Sequence, residues 1–189
     1  MAVPEAADLP SDAPFHCFAF EAFAGRCLRV ALFTGVTNGG GLAAALAAGG
    51  VAPAAAFVNA SVVVDPFALH LAAHKALAAQ AAGRLATRSL HSELLLCLSP
   101  GNNISDALRR FGPSASTSSL IVARFDGEED EAAQAAAHVG RAQRLPLASL
   151  GGLVDVAALR KIYKPTAEEL GSGSLADAVL SRIGFRELA

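Results

Sequence analysis

Two histidines and a glutamate are the residues of this chain whose types and spacing come nearest to chemistry. His70 and His74 stand four apart, a spacing that sets two imidazoles on one helical face, within reach of one metal ion. Spacing indicates no third ligand, and apolar neighbours make packing their expected role. Glu93 lies in the stretch Ser-Leu-His-Ser-Glu-Leu-Leu-Leu from Ser89 to Leu96. There it can serve as a buried acid or as a first-turn carboxylate that favours a helix start. Gly39-Gly40-Gly41 suggests a phosphate cradle, but Leu42 follows where a phosphate-binding loop needs Lys and then Ser or Thr. A plain turn into a helix is the expectation. Cys17, Cys27 and Cys97 form an odd, widely spaced set without a Cys-x-x-Cys pair, which reads as reduced thiols rather than a disulfide framework. No nucleophile elbow, His-Glu-x-x-His motif or carboxylate pair is present. These residues argue against a self-contained enzyme, and neither a cofactor nor a metal is expected.

The elements that would position such residues can be placed from pattern. Phe15 to Phe20 and Cys27 to Thr34 read as strands joined by a turn at Ala24-Gly25-Arg26. A short Ala-rich helix precedes Gly49-Gly50, and Phe57 to Val64 reads as a further strand. Asp65-Pro66 starts a helix that should run to about Ala82 and stop at Gly83: the Asp accepts from first-turn N–H groups, and Pro loses nothing there. Phe67, Leu71, Ala78 and Ala81 share its expected apolar arc, with Ala73 and Leu77 beside it. Ser89 to Leu98 and Ile104 to Phe111 predict two helices broken at Pro100-Gly101. Leu120 to Phe125 is the clearest strand. Helices over Glu128–Val139, Asp155–Tyr163 and Ser174–Ile183 complete the chain. The predicted fold class is α+β, one domain over 15–189 with a small β-sheet packed against several α-helices, after a disordered tail at 1–14.

Composition narrows the function classes. The chain has 189 residues and a net charge of −2. Residues 66–124 carry six basic and two acidic side chains, a balance of +4, so the remainder sums to −6. That mild basic middle can face phosphates but is a modest signal. The 35 uncharged positions from Val30 to Val64 are long enough to span a bilayer. Six glycines and Pro53 interrupt them, so a soluble protein with no membrane partner is expected.

Several of these segments together resemble a known family. They are Asn59-Ala-Ser-Val-Val-Val-Asp65-Pro66-Phe67, Ala72-Ala-His-Lys-Ala76, Thr87-Arg-Ser-Leu90, Glu93, and above all Leu98-Ser-Pro-Gly-Asn-Asn-Ile-Ser-Asp-Ala-Leu-Arg-Arg-Phe-Gly112. Leu120-Ile-Val, Lys161-Ile-Tyr-Lys164 and Asp177-Ala-Val extend the likeness. The chain resembles the TPRKB family, the small subunit of the EKC/KEOPS complex that binds the atypical kinase PRPK. The resemblance implies an α+β fold and a non-catalytic role in the cytoplasm and nucleus. It implies support of the kinase's ATPase activity and of tRNA engagement, in a complex that makes threonylcarbamoyladenosine on ANN-decoding tRNAs. Its partners would be the PRPK-like kinase and, through it, the other KEOPS subunits. The alternative is an autonomous RNA-binding protein using the basic middle.

The family docks its kinase largely through C-terminal helices, which directs attention to two apolar stripes. Leu175, Val179 and Ile183 recur at i, i+4, i+8 on a helix opened by Ser174 and Asp177, which stand at the spacing of a reciprocal cap. Leu159, Ile162 and Tyr163 form the second stripe. These six are the expected kinase interface. Ser172 stands where related sequences carry an aliphatic residue. For a tRNA contact the candidates are His74, Lys75, Arg84 and Arg88, whose phosphate contacts would be salt-dependent. No aromatic residues interleave them for base stacking.

Overall fold

The runs richest in Val, Ile, Leu and Phe become neighbouring strands at the centre of the molecule. In the computed structural model, which describes residues 14–186, β1 (His16–Ala19), β2 (Cys27–Thr34), β3 (Ala56–Asn59), β4 (Ser119–Phe125) and β5 (Gln143–Leu145) form one sheet. All pairings are antiparallel, in the order β1-β2-β4-β3. β1 pairs with Cys27–Val30, and β5 takes up Leu32–Thr34 of the same strand.

Register decides which side chains share a face. Leu28 lies opposite Phe125, Val30 opposite Ala123 and Leu32 opposite Ile121. These residues and Val58 point to one side, while Ala31, Phe33, Phe57, Leu120 and Val122 point to the other. Both faces are therefore apolar and both must be covered. The first is covered by α2 (Pro66–Ala81), α3 (Leu90–Leu98), α6 (Val156–Tyr163) and α8 (Leu175–Phe185), with Phe111 of α4 (Ile104–Phe111). The second is covered by α1 (Gly39–Ala47) and α5 (Glu129–Ala137). The last helix in the set, α7 (Ala167–Ser172), buries nothing. The α+β class holds, with helices on both sides of the sheet. Among the described residues no helix is long and apolar enough to cross a membrane. The uncharged stretch from Val30 to Val64 is divided among β2, α1, β3 and a turn.

Helix starts fall where side chains can satisfy first-turn N–H groups. Asp65 accepts from the Ala68 N–H at 2.8 Å, Ser89 from Ser92 at 3.1 Å, Asn103 from Asp106 at 2.8 Å and Asp155 from Ala158 at 2.9 Å. Other expectations need correction. The strand expected over 57–64 ends at Asn59, whose Oδ1 accepts from the Ser61 N–H (3.1 Å) and turns the chain into a 3-10 turn over Ala60–Val62. Gly39-Gly40-Gly41 forms the first turn of α1 instead of preceding it. Gly39 there lies against the Ser114 carbonyl, where a Cβ has no room.

The apolar arc of α2 is also displaced. Ala68, Leu69, Ala72, Ala73, Ala76 and Leu77 are buried, whereas Ala78 and Ala81 are exposed and Phe67 is 57% exposed. A face of alanines lets a helix backbone approach its neighbours closely, and packing selects that face over the one with the larger side chains. The short β5, α7 and the 3-10 segment Leu147–Leu153 gave no periodic signal. The tail expected over 1–14 lies outside the described residues apart from Pro14.

Candidate functional site

The C-terminal third is built from short helices stopped and restarted by local hydrogen bonds. Lys164 ends α6 in a left-handed conformation (φ 47°). Thr166 and Glu169 then cap α7 reciprocally: the Thr166 N–H donates to Glu169 Oε2 at 2.6 Å, and the Glu169 N–H to Thr166 Oγ1 at 3.2 Å. Ser174 and Asp177 repeat the device at α8, as their spacing predicts, with distances of 2.8 and 3.1 Å. The Ser174 hydroxyl and N–H both donate to the Asp177 carboxylate, which holds its pKa below the ordinary carboxylate range. Arg182 of α8 pairs with Glu169 of α7 at 2.7 Å.

The six residues expected to meet a kinase separate into two groups. Leu159, Tyr163, Val179 and Ile183 are enclosed by their own chain in the main core. They belong to the part of the core where α8 packs on α2 and α6 packs on α8 and on the 3-10 turn at Ala60–Val62, and they keep almost no accessible surface. Tyr163 donates its hydroxyl to the Leu98 carbonyl at 2.6 Å, and burial raises its pKa. The i, i+4, i+8 stripe marks burial, and with a core available inside the chain it is spent there. Ile162 and Leu175 are half-buried at the core's margin. Leu170 and Leu180 are also half-buried, and Val156 and Phe185 are 50% and 87% exposed, so these side chains carry accessible apolar surface in this region. Ser172 is exposed and donates its hydroxyl to the Glu168 carbonyl at 2.9 Å, within its own helix.

The basic candidates separate in the same way. The Lys75 ammonium donates to the carbonyls of Ile183 and Gly184, each at 2.9 Å, and to that of Arg186. It thereby caps the C-terminal end of α8, where carbonyls lack helical partners and the helix dipole favours a cation. Burial lowers its pKa. A side chain so engaged is not a free phosphate ligand. His74, Arg84 and Arg88 are exposed. His70 stacks on Phe18 (4.9 Å, 18°) and meets Phe20 edge-on at 4.9 Å; burial and then the neighbouring His74 lower its pKa. This is the packing role expected of it. Among the described residues no three His, Cys, Asp or Glu side chains converge as metal ligands.

The Leu98–Gly112 segment proves to be a junction. Arg186, which the sequence did not single out, donates to the Leu96 carbonyl, to the Ser99 carbonyl at 3.2 Å and to Asn102 Oδ1 at 2.9 Å. Together with Tyr163 it satisfies the orphan carbonyls at the end of α3. Glu93 is a buried acid: it is 0% exposed, and its Oε2 accepts from the Thr87 N–H (2.8 Å) and hydroxyl (2.7 Å), which pins the loop before α3. His91 accepts from the Phe125 N–H at 3.3 Å, and burial, followed by the nearby Arg124, pushes its pKa down to about 4. A cavity of about 410 Å³ opens between α1, β3, α3 and α4, lined chiefly by apolar side chains such as Leu46, Phe57, Leu95 and Leu108.

Comparison with known proteins identifies the family. The family model described as kinase binding protein CGI-121 matches residues 33–187. The chain is similar to the EKC/KEOPS complex subunit TPRKB of Danio rerio, 36% identical over 135 residues, which cover 71% of this chain and 77% of that protein. It is 32% identical over 162 residues to the EKC/KEOPS complex subunit cgi121 of Aspergillus fumigatus, covering 82% and 79%. With the CGI121 subunit of Yarrowia lipolytica it shares 34% over 102 residues, covering 54% and 60%. The family match takes in every helix from α1 to α8, and the chain belongs to the CGI-121 family of kinase binding proteins.

Proposed function

We propose that this chain is a non-catalytic subunit of an EKC/KEOPS complex that docks a PRPK-like kinase and, through it, the other subunits. In this reading it supports the kinase's ATPase activity and the tRNA engagement that threonylcarbamoyladenosine synthesis on ANN-decoding tRNAs requires, in the cytoplasm and nucleus. The observation that carries it is the family match over residues 33–187, together with relatives named as EKC/KEOPS subunits. The burial pattern supports moving the kinase-docking surface outward from the expected stripe. Val179 and Ile183 hold α8 in place, while Ile162, Leu170, Leu175, Leu180 and Phe185 keep apolar surface in contact with solvent. His74, Arg84 and Arg88 are the residues left for an auxiliary tRNA contact. Losing Lys75 from that set weakens the autonomous RNA-binding alternative, since three contacts give only weak, salt-sensitive binding.

Binding of the purified kinase to the wild-type chain and to Ile162→Glu and Leu175→Glu variants tests the docking surface, with circular dichroism confirming the fold. Folded variants that bind at least ten-fold more weakly support it. Undiminished binding by both moves the interface elsewhere, and a wild-type chain that binds no such kinase overturns the function.

A further inference from the structure

β1 and β2 bring two thiols together that neither the core nor the kinase-docking surface uses. Cys17 lies within β1 and Cys27 opens β2. In the antiparallel register Cys17 stands opposite Arg29, and Cys27 opposite Ala19. The two cysteines are thus diagonal neighbours, each two positions from the other's direct partner, and both point to the same face of the sheet. Burial, and then the neighbouring Cys17, raise the pKa of Cys27. Cys17 is exposed and Cys27 half-buried, so a small oxidant reaches the first and the second waits beside it.

Diagonal partners lie about 7–8 Å apart, and a disulfide closes most readily with its Cα atoms about 6 Å apart. The strands must therefore draw together by roughly 1–2 Å. β1 is able to do this: it is an edge strand of four residues, three of them exposed, hydrogen-bonded on one side alone.

We propose that Cys17 and Cys27 form an oxidisable dithiol, a modification site that a peroxide converts to an intramolecular disulfide. The Cys17 thiolate attacks one peroxide oxygen; an S–O bond forms, the O–O bond breaks, and the departing hydroxide takes up a proton to leave as water. The Cys27 thiol gives up its proton and attacks the Cys17 sulfur; the S–S bond forms, the S–O bond breaks, and the departing hydroxide takes up that proton to leave as a second water. In sum two thiols are oxidised to one disulfide while one peroxide is reduced to two waters. Cys97 is the built-in reference, because it is buried and burial pushes its thiol up to about 12. The new bond staples the Phe20–Arg26 connection, whose Phe20 and Phe23 pack against His70 and His74 of α2.

The full chain is treated with hydrogen peroxide, its remaining thiols are alkylated, and it is digested with trypsin without reduction. The expected product has lost two of its three thiols, runs as a monomer, and yields Cys27-Leu-Arg29 joined to the peptide ending at Arg26. Dithiothreitol restores all three thiols. In Cys27→Ser, Cys17 should stop at the sulfenic acid and be trapped by dimedone; in Cys17→Ser, Cys27 should stay alkylatable. Circular dichroism checks that both variants fold. Over-oxidised Cys17 beside a free Cys27, a dimer linked through Cys17, or loss of Cys97 at a comparable rate would each overturn the proposal.

Discussion

Helices α7 and α8 follow one another, open with the same reciprocal cap, and stand in opposite relation to the core. Thr166 with Glu169 starts one, and Ser174 with Asp177 starts the other. α8 then buries Ala178, Val179 and Ile183 and is fastened at its far end by Lys75, while α7 buries nothing. Its ties are the Arg182–Glu169 pair and the chain on either side. A cap decides where a helix begins; apolar spacing decides whether it joins the interior. In the reading proposed above, the partner meets the solvent-facing sides of α6, α7 and α8, which carry Ile162, Leu170, Leu175, Leu180 and Phe185.

The largest expected effect is on the claimed helix. Ile183→Ala removes a fully enclosed side chain and should cost about 2–5 kcal/mol in urea unfolding; a loss below about 1 kcal/mol would mean that α8 is not part of the cooperative core. The next lies in the body that α8 joins and α7 does not. An unfolded histidine takes up its proton near pH 6.5, whereas His91 in the folded chain does so only near pH 4. Between those values the unfolded state holds more protons, so acidification through that window destabilises the fold, by roughly 3 kcal/mol once pH falls below 4. His91→Gln can still accept the Phe125 N–H and should flatten this part of the stability–pH curve; an unchanged slope would assign the loss to other groups. The smallest effect belongs to α7: Leu170→Ala should shift stability by about 0.5 kcal/mol or less, and a loss as large as that of Ile183→Ala would erase the contrast between the two helices.

Much of this architecture was legible because it rests on local chemistry. Asp65, Ser89, Asn103, Asp155 and Ser174 each accept from an N–H three residues on, so the signal and the bond lie in the same four residues. β4 reads as a strand because Leu120–Ala123 and Phe125 are apolar and are buried on both faces. Which face of a helix is buried is not local. α2 turned its alanines inward because α3 and α8 come close, and α8 turned Val179 and Ile183 inward because the core had room for them. The same holds for Lys75 and Arg186, which lie 111 residues apart and meet through a carbonyl that any residue would offer. A sequence shows that Lys75 is charged, but not that a helix end will arrive to occupy it.

The fastening at Arg186 also ties distant parts of the molecule to one another. The guanidinium that satisfies the end of α3 and the carbonyl that receives Lys75 belong to the same residue. Groups that share one hydrogen-bond network do not respond independently, so whatever loosens the strap at α3 also frees the ammonium on α2.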